Sequence, residues 1–170
     1  SYLYGVDALV TNVPDVCVAV STADCVPLLL YAPDVKAVAA VHAGWRGTAS
    51  GIVERAVEAM GDGYGCHTES ILAAIGPGIS KCCFETDGDV PAAMVSALGE
   101  SARPFFAEGT GGKFKVDLKG MNALRLKNCG VLTTNVDISG DCTLCKPEKY
   151  WSHRYTKGQR GSQAALISLG

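Results

Sequence analysis

Two apolar segments, "VPLLLYAPD" and "VKAVAAVHA", meet at Pro33-Asp34, and they constrain this chain more than any other feature. Each is nearly continuous in apolar residues rather than alternating, the pattern of a strand covered on both faces. Pro-Asp is a turn signal, so the pair reads as a hairpin at the centre of a sheet. If residues equidistant from Pro33-Asp34 face each other, Cys25 stands opposite His42. Such a hairpin needs a layer of structure on each side, and 170 residues, 48% of them hydrophobic, are enough to build one domain, residues 1–170, around a real core.

The flanking sequence supplies the layers. "VDALVTN" and "VCVAVSTADC" read as two further strands separated by Asn12 and Pro14. After Gly47 the period becomes helical: Ile52, Val53, Ala56, Val57 and Met60 recur on one face, with Thr48 as cap and Gly61 as stop. "SILAAIGPGI" returns to strand and ends in a Gly-Pro-Gly turn. The pattern predicts further helices over about 91–98, capped by Asp89, and about 118–128, ended by Gly130. "VLTTNVDIS" and "SQAALISL" supply later strands, and "EGTGGK", residues 108–113, reads as a flexible loop. About three helices among roughly seven or eight strands predict an α/β sandwich (α+β) with a mixed, largely antiparallel central sheet.

Charge and composition narrow the function. A net charge of −2 with scattered Lys and Arg gives no basic stripe to follow phosphates, so no nucleic-acid partner is expected. No apolar run reaches the roughly 18 residues that span a bilayer, because Asp24, Asp34 and Lys36 interrupt the longest candidate, so no membrane partner is expected either. Eight cysteines in a chain with an ample core predict reduced thiols in a cytoplasmic protein rather than a disulfide scaffold. The opening "SYLYGVDALV" lacks a signal peptide and an initiator methionine, which predicts a start within a longer polypeptide.

The chemistry concentrates at two strand ends. A thiolate at Cys25 and an imidazole at His42 across a sheet can serve as nucleophile and base or as two ligands of Zn²⁺, and both can equally be packed structural residues. Cys82-Cys83 and Cys142-x-x-Cys145 have the residue types of a second, structural zinc site. Adjacent cysteines on a strand point to opposite faces, however, so these four are expected to be free or packed thiols.

"TADC", "VHAGWRG", "AIGPGISKCCFE", "KVDL", "CTLC" and the closing "YWSHRYTKGQRGSQAALISL" together resemble the YfiH/YlmD family, also called laccase-domain or multicopper polyphenol oxidase proteins. The motifs run in family order from Val6 to the last residue. The resemblance implies a purine nucleoside phosphorylase acting on adenosine, inosine, guanosine and methylthioadenosine, with adenosine deaminase activity, so that purine nucleosides and phosphate are the expected partners. It implies a catalytic Zn²⁺ held by Cys25, His42 and an upstream histidine from a "QVHG"-like segment that this sequence does not contain. His67 and His153 lie in no such motif, so the sequence is similar to a family member without its N-terminal portion. Zinc with three protein ligands keeps one position for water, whose pKa falls to about 7 and which suits attack on a purine C6.

In that setting Arg46 can clamp phosphate with its planar fork, or form a surface salt bridge. Trp45 can stack on a base or pack in the core. Gly76 and Gly78 can line the substrate cleft or simply form a tight turn, and Arg154 can contact substrate or pair with a carboxylate. Three rival readings stay open. A copper polyphenol oxidase is one, although three histidines are too few for a full multicopper centre and only a single copper replacing zinc fits. The others are a metal-free cysteine hydrolase with a Cys25/His42 dyad and a non-catalytic binding protein. Oligomeric state is not encoded in any of these motifs.

Overall fold

In a computed structural model, residues 5–170 are described. The central hairpin forms from β3 (Val26–Ala32) and β4 (Ala37–Ala43), paired antiparallel. Its register sets Pro27 against His42, so Cys25 falls opposite Gly44 and not opposite His42 as expected. The cause is the turn: it occupies residues 33–36, with Lys36 left-handed at φ 49°, and is centred one residue later than Pro33-Asp34. A slip of two positions preserves the face, because side chains alternate with period two.

β1 (Ala8–Thr11) pairs with the outer edge of β4, and β5 (Leu72–Ile75) pairs with β3, both antiparallel. β9 (Val136–Ile138) joins β5 in parallel, giving a mixed five-stranded sheet in the order β1-β4-β3-β5-β9. The continuous apolar runs are explained by cover on both sides. Val26, Leu28, Leu30, Ala39 and Val41 are fully buried in the main core with the helices. Val38 and Ala40 point the other way and pack with Val18, Leu29, Tyr31 and Ile167 under a ribbon of β2 (Val18–Thr22) and β10 (Gln163–Ile167). β2 thus pairs with the last strand of the chain and not with β1.

The helices depart from the sequence pattern at their ends. α1 (Trp45–Ala49) precedes α2 (Ile52–Tyr64), and Gly51 at φ 79° makes the break between them. Thr48 lies buried inside α1 and caps nothing. α2 runs through Gly61, since one internal glycine costs only about 1 kcal/mol, and stops at Gly65, whose left-handed φ of 75° lets its N–H reach the Gly61 carbonyl at 2.7 Å. α3 (Asp89–Leu98) takes Asp89 as its first residue, and α4 (Leu118–Asn128) has the expected bounds, with the Asp117 side chain capping its start. β6 (Glu85–Thr86), β7 (Phe106–Glu108) and β8 (Phe114–Val116) form a small sheet that the sequence pattern did not foretell, because strands of two or three residues carry no readable period. The "EGTGGK" stretch connects β7 to β8 through a 3-10 turn at Thr110–Gly112. The architecture is α+β, with ten strands and four α-helices among the described residues. Among the described residues no helix is long and apolar enough to cross a membrane, and all eight cysteines are free thiols.

α4 shares the main core with α2 through Leu118, Met121 and Leu126, and it is also joined to α1 and α2 through polar groups. Arg125 is buried and pairs with Glu54, and it also donates to the Ala49 carbonyl at 2.9 Å. Asn122, fully buried, donates to Thr48 Oγ1 at 3.1 Å and to the Leu118 carbonyl at 2.8 Å. Removing one member of a buried ion pair strands its partner's charge, whereas replacing both does not. Arg125→Ala is expected to destabilise the fold by about 3–5 kcal/mol in urea unfolding, and Arg125→Met combined with Glu54→Leu by much less. Equal losses in the two proteins would show that packing, not charge, holds α4.

Candidate functional site

His42 is the last residue but one of β4 and β3 begins just after Cys25, so the hairpin delivers both side chains to one end of the sheet. Close approach is built in: a Cβ on Gly44 would lie 3.1 Å from the Cys25 sulfur, so glycine there leaves the thiol its place. His42 is held from the other side by Asp7. Its backbone N–H donates to the Asp7 carbonyl at 2.7 Å, and its Nδ1 meets the Asp7 carboxylate at 2.8 Å. The imidazole is pushed up to about 9, first by the Cys25 sulfur beside it and then by Asp7, against the opposing effect of burial. With Nδ1 taken by the carboxylate, Nε2 is the nitrogen left for chemistry, the arrangement in which an outer carboxylate orients a ligating or catalytic histidine.

Asp24 sets the direction of Cys25. It adopts φ 85°, a left-handed backbone that Asp tolerates better than most residues, and its carboxylate is buried. Thr143 Oγ1 donates to Oδ1 at 2.6 Å, the Arg154 backbone N–H donates to Oδ2 at 2.7 Å, and the Ile79 N–H donates to the Asp24 carbonyl at 2.8 Å. Sequence reasoning missed both Asp7 and Asp24. Asp24 had been visible only as an interruption of an apolar run, and Asp7 only as a charge at the head of a strand. A charged residue at each strand end beside the Cys/His pair was the available signal.

Around this centre the other expected residues distribute unevenly. Arg46 lies exposed in the first turn of α1, its guanidinium 4.3 Å from the centre of the Trp45 ring, and it forms no ion pair among the described residues. Trp45 itself is half-buried against the main core. Gly76 donates to the Pro27 carbonyl at 2.8 Å, and Gly78 is buried where a Cβ would lie 3.1 Å from the Asp24 carbonyl oxygen and 3.2 Å from Val26. Arg154 donates through its guanidinium to the Glu85 carbonyl at 3.0 Å, with Phe84 5.9 Å away, and pairs with no carboxylate. A cavity of about 220 Å³ lies between the central sheet and the β2–β10 ribbon, walled by Pro27, Leu29, Gly76, Tyr150 and Gln163. Pro27 is the residue paired with His42 across the sheet. A larger, shallow cleft of about 520 Å³ between α3 and the β7–β8 pair contains none of the candidate residues.

Cys82, Cys83, Cys142 and Cys145 converge, contrary to the expectation that they stay apart. Their sulfurs lie within 4.8 Å of one another, and four thiols so placed can hold a metal ion. The strand argument failed because residues 81–83 form a turn, in which the Cys83 and Phe84 N–H groups both donate to the Ser80 carbonyl at 2.9 Å. Burial raises the Cys142 thiol, but N–H donors from Ser80, Cys145 and Leu144 more than offset it and leave the group at about 7. Among the described residues this is the one set of three or more His, Cys, Asp or Glu side chains placed to share an ion.

Residues 2–170 match the protein family described as "Multi-copper polyphenol oxidoreductase laccase". The chain belongs to this family. Within it, the chain is 36% identical over 163 residues to the purine nucleoside phosphorylase YlmD of Geobacillus stearothermophilus, covering 96% of this chain and 60% of that protein. It is 37% identical over 152 residues to the adenosine deaminase RL5 from an unknown prokaryotic organism, covering 89% and 58%. The crystal structure of the Bacillus licheniformis hypothetical protein YfiH superposes with a TM-score of 0.93 at 32% identity, covering 96% of this chain and 61% of that one. This laccase-family chain therefore spans about three fifths of the length of the relatives it matches.

The order of influences on His42 is open to direct measurement in metal-free protein. Cys25→Ala is expected to lower the imidazole pKa further from about 9 than Asp7→Asn does, read by NMR titration of the ring protons. A larger drop from Asp7→Asn would make the carboxylate the dominant partner.

Proposed function

We propose that this chain carries most of the active centre of a zinc-dependent purine nucleoside enzyme, which phosphorolyses adenosine, inosine, guanosine and methylthioadenosine and deaminates adenosine. The observation that carries the reading is the meeting of Cys25, His42 and Asp7 at one sheet end, in a chain whose relatives bear the names purine nucleoside phosphorylase and adenosine deaminase. The donor set fits the metal in kind. A thiolate and an imidazole whose other nitrogen is held by a carboxylate are ordinary zinc ligands with their usual outer partner. They fall one short of the three protein ligands a catalytic zinc takes, and the third is proposed to be a histidine from the part of the relatives' length that residues 1–170 do not span. When bound, zinc supplies a Lewis acid that lowers the pKa of a coordinated water and serves the deamination.

The chain's own residues divide the remaining work. Arg46, stacked on Trp45 and without an ion pair among the described residues, is proposed to present its fork to phosphate, which adds to the sugar C1′ as the bond from C1′ to the purine nitrogen breaks. The cavity beside Pro27 and Gly76 is sized for a flat base, with largely apolar walls. Gly78 follows Pro77 of the cavity wall and lets the chain press against Asp24 and Val26, and the remaining donors of Arg154 are proposed to meet the substrate. A second reading, a cysteine hydrolase, is favoured by one observation: Asp7, His42 and Cys25 stand in the order of a carboxylate, a base and a nucleophile.

Product analysis of adenosine with and without phosphate separates the readings. The full polypeptide containing these residues is expected to release adenine and ribose 1-phosphate only when phosphate is present, and inosine without it. Activity that resists strong chelation yet dies on thiol alkylation would favour the hydrolase instead, and blue-copper absorption with phenol oxidation would favour the oxidase. Arg46→Lys is expected to slow phosphorolysis by roughly 10–100-fold, the loss of a charge-assisted fork, while leaving deamination and metal content near wild type. Equal loss of both activities together with the metal would assign Arg46 a structural role.

A further inference from the structure

We propose that Cys82, Cys83, Cys142 and Cys145 bind one structural Zn²⁺ as four thiolates, and that this ion fastens the two loops that hold Asp24 against the start of β3. The proposal is independent of the nucleoside reading, in which none of the four cysteines takes part. Zinc–sulfur bonds of about 2.3 Å place the corners of a tetrahedron about 3.8 Å apart. Three of the sulfur separations are close to this, Cys82 to Cys83 at 3.6 Å, Cys82 to Cys145 at 3.7 Å and Cys83 to Cys145 at 3.3 Å, and the Cys142 sulfur lies within 4.8 Å of each. A set this tight has room for a single ion and not for an iron–sulfur cluster, whose thiolates stand further apart. Four soft sulfurs leave no position for water, which makes the site closed and structural rather than catalytic.

The surroundings suit an anionic metal centre. The Cys142 sulfur accepts the Ser80 N–H at 3.4 Å, and the Lys146 N–H closes the Cys142 turn at 3.1 Å. Lys119 is buried directly behind, with Nζ on Ser80 Oγ at 3.0 Å, the Ser139 carbonyl at 3.0 Å and the Asp141 carbonyl at 2.6 Å. All three are neutral oxygens, and no carboxylate among the described residues pairs with this ammonium. A zinc with four thiolates carries two net negative charges, and Lys119, bridging the two cysteine loops, supplies a counter-charge. On binding, each thiol still protonated releases its proton to solvent as its sulfur joins the metal, and no electron moves. The loops so joined also carry the Gly78 to Cys142 bridge and the Thr143 hydroxyl that grips Asp24.

The test uses protein with Cys25→Ser and His42→Ala, which removes the other metal-binding pair. Purified under reducing conditions, it is expected to retain one zinc per chain by elemental analysis, and Co²⁺ replacement is expected to give the intense visible bands of tetrahedral thiolate cobalt. Adding Cys145→Ser should abolish stoichiometric zinc and those bands, whereas adding Cys66→Ser, outside the cluster, should change neither. Lys119→Met should weaken zinc binding by roughly 10–100-fold. Removing the metal with a chelator should lower Tm, and zinc should restore it. Failure of the reduced protein to take up zinc, a cobalt spectrum unchanged by Cys145→Ser, bound iron in place of zinc, or a disulfide among these four by mass analysis would overturn the proposal. Should Cys145→Ser not fold, the cobalt spectrum and metal-dependent Tm of the parent decide.

Discussion

Burial of the β3–β4 hairpin on both faces governs the rest of the molecule. Leu28, Leu30 and Val41 must be covered on one side and Val38 and Ala40 on the other, so the chain has to place helices beneath the sheet and the β2–β10 ribbon above it. The ribbon pairs an early strand with the last one, so the segment leading into β10 returns across the Cys25 end of the sheet. Polar chemistry is excluded from the strands' interior by the cost of burying unpaired groups, and it collects where the strands stop. His42 at the end of β4 and Cys25 before the start of β3 are therefore together for a topological reason.

Topology brings the two side chains near, but Asp7 holds His42 and Asp24 sets the turn that carries Cys25. A non-glycine residue in the left-handed region carries strain of order 1–3 kcal/mol, and hydrogen bonds to a buried carboxylate are of similar size. Thr143 and Arg154 each give the Asp24 carboxylate one such bond, and the Ile79 N–H donates to its backbone carbonyl. Three separate segments of chain thus converge on one residue to hold a turn that the backbone alone would not favour. Glycine at position 78 is part of the same device, since a Cβ there would crowd the Asp24 carbonyl at 3.1 Å and Val26 at 3.2 Å.

The hairpin, α4, β5 and β10 were legible in the sequence because each is long or uniformly apolar enough to display a period. The register was misread by two residues because it rests on whether Lys36 turns left-handed, and no pattern of hydrophobicity reports that. The small β6-β8-β7 sheet was invisible for want of length. At the site, Cys25, His42 and Arg46 stood out by residue type, while Asp7 and Asp24 act through pairings between distant segments that a linear reading does not contain. The four-thiol cluster was dismissed on a rule about strands applied to residues that form a turn.

That cluster and the Cys25/His42 pair are coupled by short steps. Cys142 bridges to Gly78, Gly78 packs on the Asp24 carbonyl, Thr143 binds the Asp24 carboxylate, and Asp24 directs Cys25. Two of the steps are backbone contacts and the third joins two short, buried side chains, so displacement of the cysteine loops passes to Cys25 with little slack. An ion at the four thiols would therefore stabilise the geometry of the other centre without touching it. A chain with two sets of soft ligands has reason to differ in how it uses them: four sulfurs around one ion give a partner molecule no way in, whereas Cys25 and His42 supply only two ligands, and Pro27, paired with His42, lines a cavity.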